Sequence, residues 1–147
     1  IMPTERNFTP PESVDIPLKA DFSNLATLIG LDCPNNCQAV PGESTTLTLY
    51  WQAESPFDTS FTIFTHLLDS QETVLINADH APPKPTQGWV PDEIIADTVT
   101  LTIPPDIAPG SYALEIGMYN AADPAFQRLP LTTGETRAIV PNLLSVK

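Results

Sequence analysis

A chain of 147 residues, 41% of them hydrophobic, can bury one domain core and is too apolar for a disordered segment. Its net charge of −12, with only six Lys plus Arg, excludes nucleic-acid backbones and disfavours anionic lipid surfaces. No apolar run reaches the ~20 residues of a membrane helix, so direct membrane insertion of this segment is not expected, and no secretory leader is visible.

Seventeen prolines fall mainly between apolar runs, as in Pro10-Pro11, Pro82-Pro83 and Pro104-Pro105, where they punctuate strands rather than stiffen a linker. The chain opens on Ile1, which suggests a processed product or an excised piece with any targeting segment outside it. Residues 1–23 are polar and proline-bearing and read as an N-terminal extended segment, either a tail or an edge piece laid on the domain. The domain itself is expected over 24–147.

The first strand expected is 24–32, NLATLIGLD. Cys33-Pro-Asn-Asn-Cys37 follows, and a turn brings such a pair within disulfide reach, about 5.5–6 Å between Cα atoms. A disulfide is the expectation and free thiols the alternative; zinc lacks two further ligands, because His66 and His80 form no spacing motif with the pair. A disulfide implies an oxidising, extracytoplasmic setting.

Residues 44–53, STTLTLYWQA, alternate cleanly, with Leu47, Leu49 and Trp51 on one face and Thr46, Thr48 and Tyr50 on the other. In 60–69, SFTIFTHLLD, Phe61, Ile63 and Leu67 oppose Phe64, His66 and Leu68, so both faces are apolar and the second needs a cover. Residues 72–79 pair with that strand as a hairpin, whereas four prolines keep 80–92, HAPPKPTQGWVPD, out of any regular ladder. Residues 93–103 resume, with Val99, Leu101 and Ile103 opposite Thr98, Thr100 and Thr102.

Pro104-Pro105 stops that strand, and Pro109-Gly110 turns the chain into Tyr112, Leu114, Ile116 and Met118 on one face of the next. A Tyr at that point reads as a tyrosine corner, its hydroxyl bonding backbone a few residues upstream. A last pair is expected at 127–131 and 136–146. Seven to nine short strands with no helical period give an all-β, immunoglobulin-like Greek-key β-sandwich, with a closed barrel as the alternative.

The chain carries no nucleophile-elbow, metalloprotease, P-loop or dinucleotide motif. No cofactor or metal is expected; the one acidic set worth weighing, Asp79, Asp92 and Asp97, lacks the calcium-loop spacing. Asp79 and Asp97 bracket the proline-rich loop and would converge there, either to tie the loop backbone or to contact a ligand. Trp89 sits inside that loop, either stacking on a sugar ring or plugging the open end of the sandwich. His66 joins Glu115 and Tyr119 if their strands are neighbours, as a satisfied structural histidine or as a ligand contact. The candidate ligand-binding set is therefore Trp89, Asp79, Asp97, His66 and Tyr119, with no catalytic residues.

In order along the chain, Trp51-Gln-Ala53, Phe64-Thr-His66-Leu-Leu-Asp69, Asp79, Pro85-Thr86, Trp89-Val-Pro-Asp-Glu93, Asp97, Pro109-Gly110-Ser-Tyr112 and Gly117-Met-Tyr119 occur. Together, over about residues 24–131, they resemble the soluble β-sandwich domain attached to bacterial multi-spanning glycosyltransferase-like membrane proteins. The resemblance implies an extracytoplasmic module tethered to the cell membrane through a membrane-embedded parent. Pro91-Asp92-Glu93 departs from that pattern, which has Pro-Gly-Glu there.

The expected function is thus a non-catalytic accessory domain that contacts carbohydrate or a lipid-linked sugar. The alternatives are a structural or protein-contact sandwich, using Phe64, Leu68, Ala113 and Tyr119 as a docking face, and a glycoside-processing enzyme with two carboxyls flanking a sugar bond.

Overall fold

Period-two alternation decides the layers. Leu47, Leu49, Trp51 and Ala53 all leave one side of their strand and all are buried, while Thr48, Tyr50 and Gln52 between them stay partly open to solvent. The computed structural model describes residues 6–147. Among these, nine strands form: β1 Ile16–Phe22, β2 Ala26–Asp32, β3 Gln38–Ala39, β4 Ser44–Ala53, β5 Thr62–Leu68, β6 Val74–Asn77, β7 Ile94–Thr102, β8 Gly110–Tyr119 and β9 Ala138–Val146. They make two sheets, ordered β1-β2-β4-β7 and β3-β9-β8-β5-β6. All pairings are antiparallel except β3 with β9. The protein is a β-sandwich rather than a closed barrel.

The core lies between the sheets. Phe22, Leu28, Leu31, Leu47, Leu49 and Trp51 come from one layer, and Ile63, Leu67, Leu114, Ile116 and Met118 from the other. Each such side chain contributes roughly 1.5–3 kcal/mol by leaving water. Phe22 packs on Trp51 at 5.6 Å between ring centroids. At the β7–β8 corner the Tyr112 hydroxyl donates to the Ala108 carbonyl, the tyrosine-corner bond expected from Pro109-Gly110-Ser-Tyr112.

Three departures from the sequence reading concern boundaries. Residues 16–22 are a strand of the first sheet, so the expected break at residue 24 falls in the tight turn between β1 and β2, and the segment is an edge piece rather than a tail. Residues 127–131 are not a strand; they touch the sheets through single bridges, Arg128 with Tyr119 and Leu131 with Phe22, because Pro130 removes the donor a ladder would need. The two-residue β3 was too short to carry a pattern. Cys33 and Cys37 are paired in a disulfide with Cα atoms 5.1 Å apart, across a turn in which Asn35 and Asn36 take positive φ.

The departure at Asp92 has a backbone answer. Val90 to Glu93 forms a turn closed by the Glu93 amide on the Val90 carbonyl, with Pro91 second and Asp92 third at φ 71°. That is the position where a type II turn wants glycine. Asp occupies the same conformation at some cost in strain, so the turn is retained.

Candidate functional site

Register explains how one short segment feeds two different places. The ladder between β5 and β6 continues beyond Asn77: the Ala78 amide donates to the Thr65 carbonyl, and Ile63 and His80 exchange both backbone bonds. This places His80 opposite Ile63, on the core side, and Asp79 opposite Phe64, on the outer side. Adjacent residues therefore leave on opposite faces of the sheet.

On the core side, His80 Nε2 meets the Asp97 carboxylate at 2.8 and 2.9 Å. Asp97 is 1% exposed and also accepts from Trp51 Nε1 at 3.3 Å. Burial alone would lower the His80 pKa, but the Asp97 hydrogen bond, the Ala78 carbonyl and the nearby charges of Asp97 and Asp79 outweigh it and raise it. Trp89 closes this end. It is 2% exposed, lies 5.5 Å from Phe57 and 6.4 Å from Trp51, and donates from Nε1 to the Lys84 carbonyl at 2.8 Å. Of the two readings of Trp89, the structure takes the plug, and its indole offers no face to a ligand. Asp97 ties side chains, not loop backbone, and it does not converge with Asp79: the two carboxylates bond different histidines.

The outer side is the candidate site. His66 and Glu115 are directly opposed across β5 and β8, and His66 Nδ1 lies 2.8 Å from Glu115 Oε2. His66 Nε2 lies 2.9 Å from Asp79 Oδ1. A neutral imidazole has one N–H, so this array makes both hydrogen bonds only when it holds one further proton. Glu115 also receives Arg137 Nη1 at 2.8 Å, and Arg137 reaches Glu72 at 2.6 Å. Burial by itself would raise the Glu115 pKa, but hydrogen bonds from Arg137 and His66 and the charges of Arg128 and Arg137 hold it below the usual carboxylate range. Burial and the adjacent Asp79 carboxylate push the Tyr119 hydroxyl up.

Glycine makes room for the aromatic floor. Phe64 is paired with Gly117, and a Cβ on Gly117 would stand 2.3 Å from Phe64 Cζ, so the ring lies over the glycine. The Arg128 guanidinium also lies over that ring, 4.2 Å from its centroid. Phe64, His66, Asp79, Tyr119, Phe126 and Arg128 then line an open pocket of about 320 Å³. Phe126 is 59% exposed, stands edge-on to Tyr119 at 5.9 Å, and holds φ at 50°, an unusual conformation for a bulky side chain.

Three of the five expected ligand residues, His66, Asp79 and Tyr119, thus meet, and Trp89 and Asp97 lie in the core. Phe64 and Leu68, expected to form an exposed docking face, are each only 1% exposed. Phe126 and Arg128 escaped the sequence reading because they sit in an irregular segment held by isolated bridges and a few backbone bonds rather than by a ladder. The larger hollow of about 600 Å³ at the Tyr112 corner is lined mainly by turn residues and brings together no such set. No helix among the described residues is long and apolar enough to cross a membrane. No protein-family model matches the chain, and no curated protein matches it significantly.

Proposed function

We propose that the chain is a non-catalytic, extracytoplasmic β-sandwich module of a glycosyltransferase-like membrane protein, and that it binds carbohydrate in the pocket on its second sheet. Its support at the site is the meeting of His66, Asp79 and Tyr119 with an exposed Phe126 and a half-exposed Arg128. Aromatic faces take the apolar side of a sugar ring, and a carboxylate and a guanidinium take its hydroxyls. The Cys33–Cys37 disulfide fits an oxidising compartment. The membrane-linked part rests on the ordered resemblance over about residues 24–131.

A non-catalytic role is favoured over glycoside cleavage by how the carboxyls are used. Glycosidases keep one carboxyl as acid and one as base or nucleophile at the scissile bond. Here Asp79 and Glu115 share one imidazole, and Glu115 is further bound by Arg137.

A glycan array followed by calorimetry on the wild type, Tyr119→Ala and Phe126→Ala tests this. Binding of a saccharide by the wild type, weakened at least about tenfold in both variants at unchanged Tm, is the expected result; ~1.4 kcal/mol corresponds to tenfold. Absence of binding to any saccharide, or equal binding by the variants, overturns it.

A further inference from the structure

Arg128 sits at this pocket with no hydrogen bond from its side chain to any described residue. Its backbone is fixed by the bridge to Tyr119, with the Leu129 amide donating to the Met118 carbonyl at 2.9 Å and the Asn120 amide to the Gln127 carbonyl at 3.0 Å. Its guanidinium is laid over the Phe64 ring at 4.2 Å, which orients it. Yet no described residue accepts a hydrogen bond from it: the nearest carboxylate oxygen, Glu115 Oε1, is 4.0 Å away, and the side chain is 38% exposed. A guanidinium stacked on a ring keeps its N–H edge for ligands, and a planar fork suits a carboxylate or phosphate bidentately.

Glu115 faces this cation at 4.0 Å, but the carboxylates nearby accept their hydrogen bonds from other groups. Glu115 is bound by Arg137 Nη1 and His66 Nδ1, and Asp79 by His66 Nε2 with the Tyr119 hydroxyl beside it. Glu72 lies on the far side of Arg137. Among six Lys plus Arg in a chain of net charge −12, both Arg128 and Arg137 stand on this face.

We infer that the pocket takes an acidic saccharide, its anionic group on the Arg128 fork and its ring against Tyr119 and Phe126. This deepens the carbohydrate reading and rests on it. The anionic group is a uronate carboxylate or a sugar phosphate, and the experiment separates the two.

The full chain is titrated by calorimetry with a glucuronic acid-terminated oligosaccharide, its neutral glucose-terminated counterpart, glucose 1-phosphate and inorganic phosphate. At least one acidic sugar is expected to bind tenfold or more tighter than the neutral one, and which of them does so names the source. Arg128→Gln, which keeps a polar side chain of similar reach over Phe64, is expected to abolish that preference, so that acidic and neutral sugars bind alike. Arg128→Lys is expected to restore only part of it, since the charge returns without the fork. Equal or tighter neutral-sugar binding, or a preference that survives Arg128→Gln, overturns the inference while leaving the carbohydrate reading intact. Inorganic phosphate binding as tightly as the sugar phosphate also overturns it, because the ring would then contribute nothing. Binding of none of the saccharides overturns both.

Discussion

Two histidine–carboxylate pairs lie on opposite faces of one sheet, and their surroundings make them different objects. His80 and Asp97 are roofed by Trp51 and Trp89, and every polar atom they offer is spent inside the protein. His66 and Asp79 use the same chemistry on the outer face, beside a half-exposed Arg128 and an exposed Phe126. The segment 77–80 supplies one member to each pair simply by alternating. The contrast teaches that residue type at this spacing does not separate a structural tie from a binding site; what stands over the pair does.

The contrast breaks most severely at the core end. Trp89→Ala should cost about 3–5 kcal/mol in urea denaturation, as large aromatic truncations in cores do, because it removes the contacts with Phe57 and Trp51. Asp97→Ala should cost about 3 kcal/mol, since it strands buried donors on His80 and Trp51. Tyr119→Ala and Phe126→Ala, by contrast, should act on ligand binding far more than on the midpoint. Comparable destabilisation at both ends would erase the distinction.

Gly117→Ala probes the junction between fold and pocket. The new methyl collides with the Phe64 ring, so about 1–3 kcal/mol of overpacking strain is expected. The displaced ring would also carry away the support under Arg128, and saccharide affinity should fall with stability.

The pH dependence sharpens the comparison by sign. The His80 pKa is raised on folding, so its contribution is full below the unfolded value of ~6.5 and is lost as pH rises through the folded one. Glu115 and Glu93 are lowered, so theirs is present above the unfolded value of ~4.3 and is lost as pH falls through the folded ones. For Glu93, burial opposes the shift, and Lys84, the Val90 amide and Arg6 outweigh it. Thermal denaturation across pH 3–9 should therefore show His80→Asn flattening the alkaline shoulder and Glu115→Gln flattening the acidic one. The smallest effect is expected at Asp92→Gly, which relieves the positive φ and should gain about 0.5 kcal/mol after the entropy of the unfolded glycine is offset.

How much of this was legible in the chain depends on the local signal. β4 and β7 alternate clearly, and β8 alternates in residue type although both its faces are covered; all three lie close to where the sequence places them. β1 alternates as well, through Ile16, Leu18, Ala20 and Phe22, but Pro17, Lys19 and Asp21 disguised it; such residues are what an edge strand carries. The meeting of His66 with Glu115 followed from strand neighbourhood, which a tyrosine corner and a hairpin made arguable. The partition of Asp79 from Asp97 was not legible, because it depends on the ladder running three residues beyond the last regular pair. Trp89 lies in a loop without period, so its burial could be weighed but not read. Arg128 and Phe126 carry no pattern at all; tertiary contacts place them.

The central claim is that the outer face of the second sheet, and not the proline-rich loop around Trp89, meets carbohydrate. Heteronuclear NMR titration of the full chain with a bound saccharide tests it most directly. The account predicts shift changes concentrated at His66, Asp79, Tyr119, Phe126 and Arg128, with the Trp89 and Trp51 indole N–H signals unmoved. Changes centred on the two indoles, with the outer face silent, would contradict it.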